Sequence, residues 1–209
     1  MIVTDIIPVT KAKSKIYIDQ EFAFVLYKGD IRLYHIAVDN EIAYETYDEI
    51  CEVLLPKRAK KRCLMLLQKK DYTEEQLKRK LRDGQYPEYA ISEAISYVKS
   101  YDYINDDRYC ESYINCYASS RSVQRITTDL LKKGVEKNVI KRAFDELIDR
   151  GDIVDEEELL LKCIKKKNFD VNEKDMKKRQ KMYSHLIYKG FSSSMIARVL
   201  GNLQDLSMD

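Results

Sequence analysis

The 209 residues include 37 Lys+Arg, 35 Asp+Glu and 44% apolar side chains, enough for one or two ordinary cores and too apolar for wholesale disorder. Six Gly and three Pro are too few for a Greek-key or jelly-roll chain, whereas the density of Lys, Glu, Leu and Ile suits helices. No apolar run approaches the ~20 residues of a membrane span, and Met1-Ile2-Val3-Thr4-Asp5 has no basic start leading into an apolar stretch, so the expectation is a cytoplasmic protein with no targeting segment and no membrane contact.

In chain order, Lys15-Ile16-Tyr17-Ile18 and Glu21 to Tyr27 are β-rich, and Lys28-Gly29-Asp30 reads as a turn before a further strand-like run, Ile31 to Ile36. A small hairpin sheet is predicted over residues 2–37. Thr46-Tyr47-Asp48-Glu49 has the spacing of a capping box opening a helix that should end near Pro56. Residues 1–56 therefore form a short acidic module.

From residue 57 to 203 the sequence repeats. Leu77 and Leu81, Ile126 and Leu130, Met182 and Leu186 are three i, i+4 apolar pairs. Five residues past the second member of each pair stand Tyr86, Val135 and Phe191; ten past, Ile91, Ile140 and Ile196; fourteen past, Ile95, Phe144 and Leu200; seventeen past, Val98, Leu147 and Leu203. Six matching columns describe a helix, a turn and a second helix with an i, i+4, i+7 stripe. Gly134 and Gly190 occupy the turn as helix-ending glycines, and Gln85 takes that column in the first copy, followed by Pro87 at the start of the next helix. Thr73 with Gln76 is a second capping box, and Asp106 and Asp155, the latter with Glu158, read as N-caps of the helix that opens the following unit. The fold class is mainly α: three tandem three-helix repeats (57–106, 107–155 and 156–209) in an elongated helical array, preceded by the N-terminal β-hairpin/sheet module.

Chemistry-bearing residues are sparse. Cys51, Cys63, Cys110, Cys116 and Cys163 contain no CxxC, have no His at ligand spacing, and read as small hydrophobes in helical stripes. His35 and His185 are isolated, and there is no P-loop, Gly-rich dinucleotide turn or nucleophile with a neighbouring base. No catalytic site, metal or cofactor is expected. The tyrosines at 97, 101, 103, 109, 113 and 117 could offer bases a stacking surface, but the spacing 109, 113, 117 favours packing at a repeat core. Charge is blocked: residues 57–82 hold 11 basic and 3 acidic groups, 121–142 hold 7 and 2, and 161–181 hold 9 and 3, with acidic blocks between. Basic patches recurring along stacked repeats suit a polyanion or an acidic filament surface.

Lys80-Leu81, Tyr86-Pro87, the Ile-bearing helix after them and Tyr103-Ile104-Asn105-Asp106-Asp107-Arg108-Tyr109 together resemble the RecX family, as does Ile126-Thr127-Thr128-Asp129-Leu130-Leu131-Lys132-Lys133-Gly134-Val135. The resemblance covers residues 57–203, with Arg121 to Arg125 where a Gly-Pro-like stretch is usual and Tyr109-Cys110 where an aromatic-Ala pair is usual. It implies a non-enzymatic, monomeric regulator in DNA repair, recombination and the SOS response. Such a regulator binds the RecA filament on single-stranded DNA and restrains its extension, ATP hydrolysis and strand exchange, with weak direct DNA binding besides. On that reading Lys78, Arg79 and Arg82, then Arg121, Arg125, Lys132 and Lys133, then Lys177, Lys178, Arg179 and Lys181 contact acidic RecA surface or the DNA backbone, arginine giving the more directional contacts. The rival readings are a helical-repeat nucleic-acid-binding or transcription-regulatory protein and a protein-binding scaffold. Against a transcription regulator with a recognition helix in the major groove, Val139 to Leu147 becomes acidic along its length, which is poor for a helix lying on phosphates.

Overall fold

Alternation with a period of two organises the start of the chain. In β2 (Lys13–Ile18) Ser14, Ile16 and Ile18 turn inward, and in β3 (Glu21–Tyr27) Phe24 and Leu26 do so. The intervening Asp19 and Gln20 both have positive φ, the backbone a two-residue hairpin loop needs. β1 (Val3–Pro8) completes an antiparallel sheet of order β1-β2-β3, with Ile6 opposite Ile16 and Ile16 opposite Phe24. The computed structural model describes residues 1–152 and 156–201, in two units, Met1–Asn105 and Asp106–Asp209.

Three N-terminal expectations are corrected. The run read as a strand after Lys28 is a helix, α1 (Lys28–Leu33). The buried Asp30 determines this: its carboxylate accepts from the Tyr27 amide at 3.4 Å and pairs with Arg58 at 2.6 Å, holding the first turn. The Thr46 capping box is absent, because α2 (Tyr44–Asp48) is entered from Ala43, three residues before Thr46. Nor does the helix stop at Pro56. It continues as a π-helical segment (Glu49–Leu54) into α3 (Leu55–Leu67), so Pro56 lies in the first turn of α3. Proline cannot donate to the carbonyl four residues back, and the widened π turn just before it absorbs that missing bond.

α4 (Glu74–Asp83) and α5 (Glu88–Ser100) follow. The Thr73–Gln76 capping box is formed as expected, each side chain bonded to the other's amide at 3.2 Å. Leu77 and Leu81 of α4 and Ala90, Ile91, Ala94, Ile95 and Val98 of α5 share one apolar cluster with Ile16, Phe24 and Leu26 of the sheet and with Ile50, Leu55, Ala59, Cys63 and Leu66. The N-terminal sheet and the first helices thus fold around a common core.

The second unit contains α6 (Asp106–Tyr117), α7 (Val123–Lys132), α8 (Lys137–Asp149), α9 (Glu156–Lys166), α10 (Met176–Lys189) and α11 (Ser193–Leu200). Cys110 and Ile114 pack with Ile126, Leu130, Val135, Ile140, Phe144 and Leu147 in one cluster. Leu159, Leu160 and Ile164 pack with Met182, Leu186, Phe191, Ile196 and Leu200 in the other. Leu81, Leu130 and Leu186, the aligned ends of the three apolar pairs, are each fully buried. In the turn column Gly134, Gly190 and also Gln85 adopt positive φ, +86°, +93° and +59°. Asp106 is the first residue of α6 rather than the cap before it. Ile153, Val154 and Asp155, and Leu203, lie outside the described residues. Among the described residues no helix is long and apolar enough to cross a membrane.

The tyrosines divide. Tyr97, Tyr109, Tyr113 and Tyr117 are half-buried against their clusters, as expected for core packing. Tyr101 and Tyr103 are instead 59% and 49% exposed and stacked on one another, with ring centroids 5.7 Å apart. The thiols divide too: Cys63 and Cys110 are buried, and burial pushes them up to about 11 and about 12, whereas Cys116 is exposed rather than in an apolar stripe.

Candidate interaction surface

The eleven basic residues singled out from the sequence all lie on, or immediately flank, the second helix of a three-helix segment: α4, α7 or α10. Each of those helices buries an i, i+4 apolar pair, which turns its polar side chains outward. What the basic groups then meet differs from one helix to the next.

On α4, Lys78 pairs with Glu74 at 2.6 Å, and Glu74 also takes Lys99 of α5 at 2.7 Å. Arg82 is clamped between Glu88 at 2.8 Å and Glu75 at 3.0 Å. Arg79 points outward and makes no ion pair among the described residues. Around α7, Arg121 lies over the Tyr117 ring with its guanidinium carbon 3.8 Å from the centroid, donates to the Tyr113 hydroxyl at 3.1 Å and pairs with Asp129 at 2.8 Å. Asp129 also holds Arg125, at 3.6 Å, and the Lys133 ammonium sits over the Tyr113 ring at 5.3 Å. Lys132 is exposed and makes no ion pair among the described residues.

On α10 one expected contact residue is withdrawn from the surface. Arg179 is only 5% exposed, and its guanidinium donates to the carbonyls of Val171 (3.3 Å), Glu173 (3.1 Å) and Leu200. It ties the loop before α10 to the end of α11, a structural role that leaves it unable to reach a partner. Lys178 pairs with Glu173 at 3.0 Å, and Lys177 and Lys181 are exposed without an acidic partner among the described residues. Exposed ion pairs contribute ~0–1 kcal/mol each, so the paired cations are held weakly. The unpaired ones need no bond broken to engage a partner.

The sequence reading missed a cationic groove within the second unit. A cavity of ≈ 450 Å³ is lined by Lys162 and Lys166 of α9, by Lys167 after it, and by His185 and Lys189 of α10. Ser119 and Ser120, after α6, form its other side, and Leu159 and Cys163 supply apolar lining. A neighbouring cavity of ≈ 490 Å³ shares Lys167 and His185 and adds Phe169, Lys181 and Met182, together with Asp170 and the Glu173–Lys178 pair. Burial first, then the charges of Lys167 and Lys189, hold the His185 imidazole below its ordinary range. The basic block at 161–181 was visible in sequence, but nothing in it announced that Ser119, His185 and Lys189 would join it.

A family model described as the first three-helix domain of RecX matches residues 59–97, and one described as the third three-helix domain of RecX matches residues 155–200. The chain is 32% identical over 202 residues to a protein named regulatory protein RecX from Caldanaerobacter subterraneus subsp. tengcongensis, covering 96% of this chain and 98% of that one. A regulatory protein RecX from Clostridioides difficile is 31% identical over 191 residues, covering 90% of this chain and 88% of that one. A crystal structure of regulatory protein RecX superposes with a TM-score of 0.59 at 21% identity, covering 95% of this chain and 98% of that one. RecX from Lactobacillus salivarius superposes with a TM-score of 0.59 at 25% identity, covering 74% and 98%. Since the first of these relatives corresponds to almost every residue from the N-terminal sheet to α11, and the matched helical domains coincide with α3–α5 and α9–α11, the chain belongs to the RecX family of regulatory proteins.

Proposed function

We propose that the protein is a non-enzymatic regulator of RecA that binds the RecA filament on single-stranded DNA and restrains its extension, ATP hydrolysis and strand exchange in the cytoplasm. The observation that carries this reading is the correspondence of nearly the whole chain with regulatory RecX proteins. Tandem three-helix segments, at 57–106, 107–155 and 156–209, give one chain several copies of a similar surface, which suits a partner that is itself a repeating polymer. Within the expected set, Arg79, Lys132, Lys177 and Lys181 are the contact residues, because they are exposed and free of acidic partners among the described residues. Transcription regulation is disfavoured by α8, where Arg142 pairs with Asp107, and Arg150 beyond the helix end with Glu111 at 2.7 Å and Glu146 at 3.3 Å, so both arginines already face carboxylates.

Co-sedimentation with preformed RecA filaments tests the assignment. The triple variant Arg79→Glu, Lys132→Glu, Lys181→Glu should bind at least tenfold more weakly than the parent while keeping its far-ultraviolet dichroism. Equal binding by a folded variant overturns the contact assignment, and no binding by the parent overturns the filament reading itself.

A further inference from the structure

We propose that the two adjoining cavities of the second unit together bind a free nucleoside di- or triphosphate, with the phosphates among the lysines of α9 and α10 and the nucleoside against Phe169. This goes beyond the filament reading and does not rest on it.

The two cavities are contiguous and differ in chemistry. They share Lys167 and His185, and their volumes, ≈ 450 and ≈ 490 Å³, each lie within the ~300–1,000 Å³ typical of small-molecule sites. Four lysines and a histidine line the first cavity, and no carboxylate does. Lys162 has a partner outside it, Glu158 at 2.8 Å. Lys166, Lys167 and Lys189 have no acidic partner among the described residues. Three like charges held around one concavity repel each other, and low-dielectric walls focus their field into it, so a compact chain of phosphates relieves the repulsion where it is greatest. Ammonium groups act as point charges and accept phosphate oxygens at many angles.

The second cavity is unsuited to phosphate and suited to a nucleoside. Its lining includes Asp170 and the Glu173–Lys178 pair, so a strand, with a phosphate at every residue, would carry negative charge onto carboxylates there. A ligand with phosphates at one end only avoids this. Phe169 offers a half-buried ring for a base, with the polarisable Met182 beside it. Asp170 accepts from the Asn172 amide at 2.9 Å through one oxygen, which leaves the other for a ribose hydroxyl. The Asn168 side-chain amide, also on the cavity wall, carries both a donor and an acceptor for a base edge. At the junction, burial and then the charges of Lys167 and Lys189 hold His185 below its ordinary range. Its imidazole is therefore uncharged at neutral pH and offers one N–H to a phosphate oxygen.

The experiment is isothermal titration calorimetry of the full chain with ATP and with GTP, in the absence of RecA and DNA, while the ring-proton resonances of the two histidines are followed in parallel. At least one nucleotide should bind and shift His185, with His35 of the first unit staying in place as the internal reference. Tripolyphosphate and the free nucleoside should each bind at least tenfold more weakly than that nucleotide. The variant Lys166→Gln, Lys167→Gln, Lys189→Gln should also lose at least tenfold in nucleotide affinity, and its unchanged thermal midpoint excludes misfolding as the cause. Phe169→Leu should weaken nucleotide binding at least threefold and leave tripolyphosphate binding as it was. No binding of either nucleotide, equal binding by the folded lysine variant, or tripolyphosphate binding as tightly as the nucleotide overturns the proposal. Full displacement of the nucleotide by an oligothymidylate of matched phosphate concentration also overturns it, assigning the groove to a strand. RecA-filament binding is scored separately, with the Arg79, Lys132 and Lys181 variant, so either reading can fail without the other.

Discussion

Ser122 and Gly190 touch: the Ser122 hydroxyl donates to the carbonyl of Lys189 at 3.0 Å, and a Cβ added at Gly190 would stand 2.5 Å from the Ser122 Oγ. Ser122 also caps α7 by accepting from the Arg125 amide at 3.2 Å, and the neighbouring Val123 amide donates to Glu156 of α9 at 2.9 Å. The start of α7 is thereby fixed to both α9 and the end of α10. The glycine meets two demands there, a left-handed backbone at φ +93° and room for a buried serine.

Gly190→Ala should therefore destabilise the second unit by about 2–4 kcal/mol, combining backbone strain with the clash. Gly151, at φ +75° with nothing within 4 Å of a built Cβ, provides the comparison. Its alanine variant should lose only about 1 kcal/mol. Urea denaturation of the two variants checks this, and equal losses would mean that the approach to Ser122 carries no weight.

Gln85 holds the glycine column of the first repeat in a left-handed conformation at φ +59°, with its side-chain Oε1 buried and lacking a hydrogen-bond partner. Gln85→Gly removes both costs. A gain of about 1 kcal/mol is expected, raising the thermal midpoint by roughly 2–4 °C in a chain of this size. Gln85→Ala, which keeps the Cβ in the strained backbone, should gain less. A lowered midpoint for the glycine variant would contradict the assignment of strain to this turn.

Glu74 links α4 to α5 through Lys78 and Lys99. Burial pushes its carboxyl up, but hydrogen bonds and charge from the two lysines outweigh burial and leave it below the ordinary glutamate range. A carboxyl lowered by folding stabilises the protein above its unfolded-state pKa, and that contribution fades as pH falls through this value towards the folded one. At pH 7 Glu74→Gln should cost about 0.5–1 kcal/mol in urea unfolding, and the gap to the parent should close as the solution is acidified below the ordinary glutamate range. A gap independent of pH would show that the ion pairs are not its source.

The parts of the fold legible in sequence were those set by local periodicity. Leu81, Leu130 and Leu186 repeat with their companions because each three-helix segment solves the same packing problem, and all three are fully buried. The Thr73 capping box was legible for the same reason, since its two bonds span three residues. Ile31 to Leu33 were misread as strand because the helix they join depends on Arg58, far along the chain, holding Asp30. Arg179 was misread because its acceptors are backbone carbonyls in a loop and at the end of α11, which no side-chain pattern encodes. The groove escaped because its lysines become a site only when α9 and α10 bring them beside Ser119 and Ser120. Charge blocks indicate which helices are basic, whereas the distances decide which cations are free.

The most direct test of the central claim is single-stranded-DNA-dependent ATP hydrolysis by RecA from the same organism, titrated with this protein at two salt concentrations. Inhibition should set in well below one molecule per RecA and weaken at the higher salt, as expected for charge-assisted engagement of a polymer. Unchanged hydrolysis up to equimolar protein, together with no binding to the preformed filament, would contradict the account.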